Sequence, residues 1–190
     1  MASVVNHGIT DMDYDGFLEV VNKSEQVRSS VYERKEYMEA RQDAGQKTVT
    51  ENCAEWYKHS SYAIRIKNKD LNQFLPNSFF EKFKMRKNSA DITVYRFTPG
   101  QFTPPHMDMM GEYRKMSDNE AEKQDIVRVW IALSEPELGH ALFVGKDQVV
   151  YNVPRGTTLQ FNFQGEWHSG VNAGIKDRYF LTVTGVKNNG

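Results

Sequence analysis

The second half of the sequence is a series of short segments in which apolar and polar residues alternate. The alternation is clearest in Ile126–Ser134 and Arg178–Val186, and turn residues such as Pro99-Gly100 and Pro154-Arg155-Gly156 separate the segments. This pattern is typical of antiparallel strands in a sandwich, jelly roll or barrel. The predicted strands are Asp91–Phe97, Ile126–Ser134, Ala141–Val144, Val149–Val153, Thr157–Phe163 and Arg178–Val186.

The N-terminal part of the chain carries helical patterns instead. Asp13 or Asp15 is placed to cap a helix that faces inward through Phe17 and Val21. Helices followed by strands predict an α+β fold with a mainly β core. We therefore expect a single domain over residues 1–190, with a helical cover (1–90) packed on one sheet of a β core (91–186). Further helices are predicted at Ser24–Gln42, Thr48–Tyr57 and Asn77–Lys84, the last capped by Asn77, with one strand at Tyr62–Ile66.

Composition limits the classes of partner. With 190 residues, of which 39% are hydrophobic and 26% charged, the chain is long enough for one domain with a substantial core. A net charge of −1 favours neither nucleic acid nor an anionic membrane surface, and no apolar run approaches the ~20 residues that span a bilayer. Residues 1–10 show no signal-peptide pattern, and the single cysteine, Cys53, cannot form an internal disulfide. These features predict a cytoplasmic protein.

Three side chains in the strand-rich half are candidate metal ligands. His106 and Asp108 are two residues apart, so on a strand their side chains share a face. His168 follows much later, at a separation that a β-barrel closes by bringing a distant strand alongside. Two imidazoles and one carboxylate suit Fe(II) and leave the opposite coordination positions open, although Zn(II) accepts the same ligands. Further along, Arg178 can hold an acidic co-substrate by a bidentate contact.

These residues, in this order, resemble the motif of the iron(II)- and 2-oxoglutarate-dependent oxygenases. The resemblance rests on His106-Met107-Asp108, His168-Ser169-Gly170 and Arg178-Tyr179-Phe180, and it is closest to amino-acid and prolyl-type protein hydroxylases. It implies a double-stranded β-helix, also called a jelly roll, over residues 92–186. It also implies that His106, Asp108 and His168 bind Fe(II), with no catalytic residue beyond these ligands. Arg178 would then pair with the distal carboxylate of 2-oxoglutarate, and dioxygen would be the other reactant.

One position departs from the family pattern. Many members place Ser or Thr two residues after the arginine to help hold the carboxylate, whereas this chain has Phe180. Tyr95 is the predicted replacement, since members often use a tyrosine on this strand, and its alternative role is that of a core aromatic residue. Arg128 is expected to bind a carboxylate of the co-substrate or substrate, or else to face solvent. His140 is expected to be a surface or hydrogen-bonded histidine, because the triad is complete without it.

The resemblance implies oxidative decarboxylation of 2-oxoglutarate to succinate, coupled to hydroxylation of a C–H bond in an amino acid or a protein side chain. The expected partner is therefore a small-molecule, peptide or protein substrate, with no membrane and no nucleic acid, and no pattern indicates an oligomeric state. Two alternatives stay open: a cupin-like metalloenzyme on the same barrel that does not use 2-oxoglutarate, and a non-catalytic jelly-roll module. The charged segment between Met109 and Asp125 is either a surface loop or a flap over the substrate.

Overall fold

Antiparallel strands dominate the protein, whose computed structural model describes residues 4–24, 27–28, 64–67, 69–103, 105–108 and 126–188, with the backbone alone described for 27–28, 64–67 and 69–70. The strands are β1 (Val5–Ile9), β2 (Val27–Arg28), β3 (Ile64–Lys67), β4 (Asp91–Phe97), β5 (Ile126–Ala132), β6 (His140–Val144), β7 (Gln148–Tyr151), β8 (Thr157–Gln160), β9 (His168–Asn172) and β10 (Arg178–Val186). The helices are α1 (Tyr14–Lys23) and α2 (Asn77–Lys82), with 3₁₀ turns at Lys69–Phe74 and Lys87–Ser89. No helix in these ranges has the length and apolarity needed to cross a bilayer.

The strands form two antiparallel sheets. The larger sheet has the order β1-β8-β5-β10-β4-β3-β2, and the smaller sheet has the order β7-β6-β9. Backbone bridges from Phe102 to Val171 and from His106 to His168 add the segment 102–106 to the smaller sheet beside β9. From β4 onward the chain therefore crosses repeatedly between the two sheets. This connectivity is that of a double-stranded β-helix, or jelly roll, as predicted.

The larger sheet has a core on each of its faces. Phe180 and Trp130 point from it into the jelly-roll interior, where they join Leu142 of the smaller sheet. Leu181 and Val183 point the other way and pack under the helices. Successive side chains of β10 thus point alternately into the two cores. This is why the strand is buried over nearly its whole length.

The helical cover begins with α1, which packs on the outer face of the larger sheet. Its N-cap is Asp13, whose side chain accepts a hydrogen bond from the backbone N–H of Gly16 (3.0 Å). Phe17 and Val21 lie one turn apart, and both are fully buried against the sheet. The predicted helix, its cap and its buried face are therefore confirmed.

Most predicted strands are found, and three strands, β1, β2 and β9, are new. β4 and β10 coincide with their predicted segments, while β3 and β5 to β8 differ from theirs at the ends. Residues 5–9 belong to the predicted helical cover but form β1, which pairs with β8. β9 is missing from the prediction because Ser169, Gly170 and Asn172 interrupt the apolar alternation that marks a strand.

Two local predictions are wrong, and others fall where nothing is described. Pro76 is the N-cap of α2, and Asn77 instead accepts a hydrogen bond from Nζ of Lys87 (2.9 Å). The short strand β2 lies inside the helix predicted at Ser24–Gln42, so that helix is wrong at Val27–Arg28. That prediction is also wrong at Ser24, which ends α1 as its C-cap. The other residues of that helix, the helix at Thr48–Tyr57, Cys53 and the segment 109–125 lie outside the described residues.

The outer core should carry much of the stability. We expect Leu181→Ala to lower the free energy of unfolding by about 2–5 kcal/mol, because a fully buried leucine leaves a cavity under the helices. The matched control is Leu138→Ala, since Leu138 is 94% exposed and its change should stay within about 0.5 kcal/mol. Urea denaturation measures both changes, and equal losses in the two variants would contradict this packing.

Candidate metal centre

The candidate site forms where the segment 102–106 pairs with β9. The backbone N–H of His106 donates to the carbonyl oxygen of His168 (3.0 Å), and the N–H of His168 donates to that of His106 (2.9 Å). Residues that exchange both hydrogen bonds across an antiparallel pair project their side chains to the same side. The two imidazole rings accordingly lie with their centroids 4.3 Å apart.

Asp108 completes a cluster of three potential ligands. Its Oδ1 is 3.6 Å from Nε2 of His106, and its Oδ2 is 3.6 Å from Nε2 of His168. One ligand atom from each residue lies within 4.8 Å of the other two. Two atoms that bind one ion at about 2.1 Å are at most about 4.2 Å apart, so the nitrogen–oxygen pairs already have a suitable spacing. The structure thus brings the three predicted ligands together.

The imidazole of His168 is oriented from two sides. Its Nδ1 lies 3.1 Å from the carbonyl oxygen of Glu166, so we assign the proton to Nδ1 and the free lone pair to Nε2, which faces Asp108. Phe161 and Phe163 stack on each other, and both meet the His168 ring edge to face, at 5.2 and 5.3 Å between centroids. These contacts hold the ring in the orientation that a metal ligand needs.

The Asp108 carboxylate is hydrogen-bonded to Arg128, which is partly buried. Nη1 of Arg128 donates a hydrogen bond to Oδ2 of Asp108, and Nε of Arg128 donates to the Thr184 hydroxyl (2.7 Å) on the neighbouring strand. Burial alone would raise the pKa of Asp108, but the Arg128 charge and the two imidazoles outweigh it and hold that pKa well below its usual range. Asp108 is therefore ionised, as a metal ligand must be. Arg128 has the carboxylate of Asp108 as a partner in the structure, and its binding to a co-substrate or substrate carboxylate stays a prediction.

This donor set fits a divalent metal ion. Two imidazole nitrogens and one carboxylate oxygen are ligands that Fe(II) and Zn(II) both accept. The side chains of His106 and Asp108 are each 19% exposed, so one side of the cluster is accessible. An open side is what a three-ligand centre needs if a further molecule is to bind there.

Arg178 lies in the jelly-roll interior at the start of β10. Its Nη1 donates to the carbonyl oxygens of Ala141 (2.6 Å) and Val171 (2.9 Å), and its guanidinium lies over the rings of Trp130 and Phe180 (5.5 and 5.4 Å). Burial lowers the pKa of Arg178 to about 10, which leaves it charged at neutral pH. No carboxylate of the described residues pairs with this cation, and its Nε and Nη2 make no hydrogen bond to them.

Two buried polar groups between Arg178 and the metal cluster have no hydrogen-bond partner among the described residues. They are Nε1 of Trp130 and Oγ1 of Thr182. Trp130 of β5 pairs with Thr182 of β10. Two residues further along β10, Thr184 pairs with Arg128. An unsatisfied buried polar group costs about 1–3 kcal/mol, so this pair indicates a place for a water or a polar ligand.

Phe180 is the centre of an aromatic cluster beside Arg178. Its ring stacks on that of Tyr95 (4.9 Å, 14° between the planes) and contacts the rings of Phe97 and Trp130 (5.3 Å in each case). The structure therefore places Tyr95 as an aromatic partner of Phe180, and no hydrogen bond between described atoms joins it to Arg178. Its role in holding a co-substrate stays a prediction.

His140 lies at the Arg178 end of the interior and outside the three-residue cluster. Its Nε2 is 3.3 Å from the carbonyl oxygen of Lys176, and the side chain is buried. Burial lowers the pKa of His140, and the nearby charge of Arg178 adds to that effect. His140 is therefore a hydrogen-bonded histidine, one of the two environments expected for it.

Comparisons with known proteins return distant similarities. No protein-family model matches the sequence, and no curated protein matches it. Similar solved structures include a predicted oxalate decarboxylase from Thermotoga maritima (16% identity over 66% of this chain and 82% of that chain, TM-score 0.37) and a cupin domain from Bordetella pertussis (17%, 52% and 81%, TM-score 0.34). Another is a sugar phosphate isomerase from a cupin superfamily, from Silicibacter pomeroyi, with 13% identity over 65% of this chain and 59% of that chain and a TM-score of 0.38. At these TM-scores the matches carry no functional argument, and the assignment of a jelly roll with a candidate metal centre rests on the strand order and the ligand cluster.

Proposed function

We propose that this protein is an Fe(II)- and 2-oxoglutarate-dependent oxygenase that hydroxylates a C–H bond in an amino acid or a protein side chain. The observation that carries the proposal is the cluster of His106, Asp108 and His168 at one end of the jelly-roll interior, where Arg178 lies buried further along. A metal centre and a buried cation in one interior suit a co-substrate that has a metal-binding keto acid at one end and a carboxylate at the other.

The ligand residues would hold the metal, and Arg178 would hold the co-substrate. His106, Asp108 and His168 would bind Fe(II), which when bound supplies the activation of dioxygen for the oxidation. The free Nε and Nη2 of Arg178 would form a bidentate pair with the distal carboxylate of 2-oxoglutarate. This pairing would also supply the counter-charge that Arg178 lacks among the described residues.

The unpaired interior donors would take the place of the missing hydroxyl. The resembling family places Ser or Thr where this chain has Phe180. Nε1 of Trp130 and Oγ1 of Thr182 lie between Arg178 and the metal cluster, so each could donate to an oxygen of a molecule that spans the two. Binding the co-substrate would then satisfy two groups whose burial is otherwise unfavourable.

A second candidate is a metal-dependent enzyme of cupin type that does not use 2-oxoglutarate. The observation in its favour is the filled interior around Arg178, where the cavity lined by Trp130, His140 and Arg178 is about 20 Å³. That volume holds roughly one water molecule, so a diacid fits beside Arg178 only after neighbouring side chains such as Phe180 move. In this alternative the two carbonyl contacts of Arg178 are structural, and they join β10 to the smaller sheet.

Loss of one ligand should abolish metal binding. We expect His106→Ala to retain no stoichiometric Fe(II) or Zn(II) after dialysis, because two ligands bind a divalent ion far more weakly than three. Zn(II) at 100 times its Kd should raise the free energy of unfolding of the wild-type protein by about 2.7 kcal/mol and leave that of the variant unchanged. Elemental analysis and denaturation with and without Zn(II) measure the two effects.

The matched control for this prediction is His140→Ala. His140 is also a buried histidine of the jelly roll, but it lies outside the ligand cluster, so this variant should bind the metal as the wild-type protein does. Equal metal contents in the His106 and His140 variants would show that the cluster is not the metal centre.

The KM for 2-oxoglutarate should depend on the guanidinium group of Arg178 and not only on its charge. We expect Arg178→Lys to raise the KM for 2-oxoglutarate roughly 10- to 100-fold, because lysine keeps the charge and loses the paired donors of the guanidinium. The bound Fe(II) should not change. Succinate release, measured against 2-oxoglutarate concentration, gives the KM, and Arg155→Lys is the control because Arg155 pairs with Asp15 and Glu135 at the surface.

One result separates the two candidate functions. Anaerobic titration of the Fe(II)-loaded wild-type protein with 2-oxoglutarate should show saturable binding if the oxygenase proposal holds. Bound metal with no affinity for 2-oxoglutarate would contradict it and favour the cupin-type enzyme.

A further inference from the structure

A groove of about 420 Å³ lies directly against the candidate metal centre. Its wall includes Arg128, Phe161 and Phe163. Arg128 is hydrogen-bonded to Asp108, and the two phenylalanine rings pack on His168. Arg128, Phe161 and Phe163 therefore belong both to the wall of the groove and to the surroundings of the ligand cluster, although none of the three ligands lines the groove itself.

Among the described residues, every charged side chain that lines this groove is positive. These side chains are Lys82, Lys84, Arg128 and Lys187, and no described Asp or Glu lines the groove. The other polar lining groups are the amides of Gln160, Asn162 and Gln164 and the imidazole of His7. Because the whole chain has a net charge of −1, this cationic lining is a local feature and does not follow from composition.

Backbone contacts and one side-chain hydrogen bond place the lysine residues at the groove, where the side chains of Lys84 and Lys187 are exposed. Nζ of Lys82 donates to the backbone carbonyl oxygen of His7 (2.7 Å), which ties the end of α2 to β1. Lys187 is joined to the same end of α2 by its backbone bridge to Met85, which brings it close to Lys84. Like charges held near one another are unfavourable alone and become favourable when an anion binds between them.

Lys84 also has a backbone conformation that lysine rarely adopts. Its φ is +49°, in the left-handed region where glycine is the usual residue after a helix. At such a position lysine makes the protein less stable than glycine would. This cost suggests that the side chain of Lys84 has a function. The role that fits its place in the groove is anion binding.

We propose that this groove binds an anionic group of the substrate, a carboxylate or a phosphate, at Lys84 and Lys187, and so positions the substrate beside the metal centre. The link to the metal rests on the proposed oxygenase function, whereas anion binding by the groove does not. An adjoining groove of about 1090 Å³ shares both lysines, and its other charged lining residues are Glu81, Arg86 and Lys87. Its volume leaves room for the rest of a larger substrate.

A nucleic acid suits this surface less well than a small anion or an acidic peptide. Single-stranded nucleic acids bind by stacking bases on exposed aromatic rings as well as by phosphate contacts. The described aromatic residues of the groove, Phe83, Phe161 and Phe163, are at most 6% exposed, so among the described residues no such platform is present.

Lys84→Gly is the sharpest test because it removes the charge and relieves the backbone strain together. The Lys84→Gly variant should be at least as thermally stable as the wild-type protein. The affinity of its groove for an anion should be about tenfold lower. The matched control is Lys146→Ala, an exposed lysine in the turn between β6 and β7, for which the affinity should not change. Loss of affinity in the control as well would overturn the assignment to Lys84.

The binding probes are pairs of compounds matched except for charge. Phosphoserine and serine, and glutamate and glutamine, are titrated into metal-free protein while the backbone amide resonances of Lys84 and Lys187 are followed by NMR. Saturable shifts with phosphoserine or glutamate alone would support the proposal, and the stronger of the two identifies phosphate or carboxylate as the preferred group. Equal shifts with the neutral members, no shifts at all, or tighter binding of a single-stranded oligonucleotide would overturn it.

Activity separates failure of this inference from failure of the proposed function. In Fe(II)-loaded wild-type protein, the anionic member of a pair should stimulate succinate release from 2-oxoglutarate more than its neutral partner. Anion binding at the two lysines without any succinate release would support the groove and contradict the oxygenase. Succinate release stimulated equally by neutral and anionic members would support the oxygenase and overturn the groove.

Discussion

The candidate metal centre depends on one backbone pairing, that of His106 with His168. Two reciprocal hydrogen bonds join segments that are far apart in the sequence and carry both imidazoles to the same side. The pairing is possible because β9 is already bonded to β6, so the segment 102–106 adds to an existing sheet edge. Asp108 then donates its backbone N–H to the carbonyl oxygen of Phe163 (2.8 Å), which directs its carboxylate back toward the histidines.

The charges of the interior are distributed unequally between its two ends. Arg128 has the carboxylate of Asp108 as a partner, whereas Arg178 has two carbonyl oxygens and two aromatic rings but no carboxylate among the described residues. A buried cation without a counter-charge is unfavourable unless something pairs with it. The unsatisfied donors of Trp130 and Thr182 lie between the two ends, so charge and hydrogen bonding both point to a ligand that binds along this interior. The aromatic side chains around Phe180 occupy the space that such a ligand needs. Whether they move to admit a ligand is the physical difference between the two candidate functions.

The sequence pattern predicts strands whose two faces both carry apolar or β-branched side chains, and it misses buried strands made of small and polar residues. β4 and β10 were predictable to their ends because each sends alternate side chains to two different cores. β9 is a buried strand of small and polar residues, among them Gly170, where an added Cβ would lie 3.1 Å from the Phe97 ring. β1 is a strand because it pairs with β8, which is far from it in the sequence. The three ligands were predictable from motif spacing, but the contact of Arg128 with Asp108 was not, because it depends on the register of β5 against β10.

If His106, Asp108 and His168 form a metal centre, these three side chains from separate parts of the chain bind one ion. Zinc is a redox-inert probe for this centre, since it accepts the same ligands as Fe(II). Anomalous X-ray diffraction at the zinc edge, from crystals of the Zn(II)-loaded protein, locates the ion. We expect a single strong peak about 2.0–2.2 Å from Nε2 of His106, Nε2 of His168 and a carboxylate oxygen of Asp108. A peak at another place in the protein, or separate ions on the two imidazoles, would show that the three side chains do not form one metal centre.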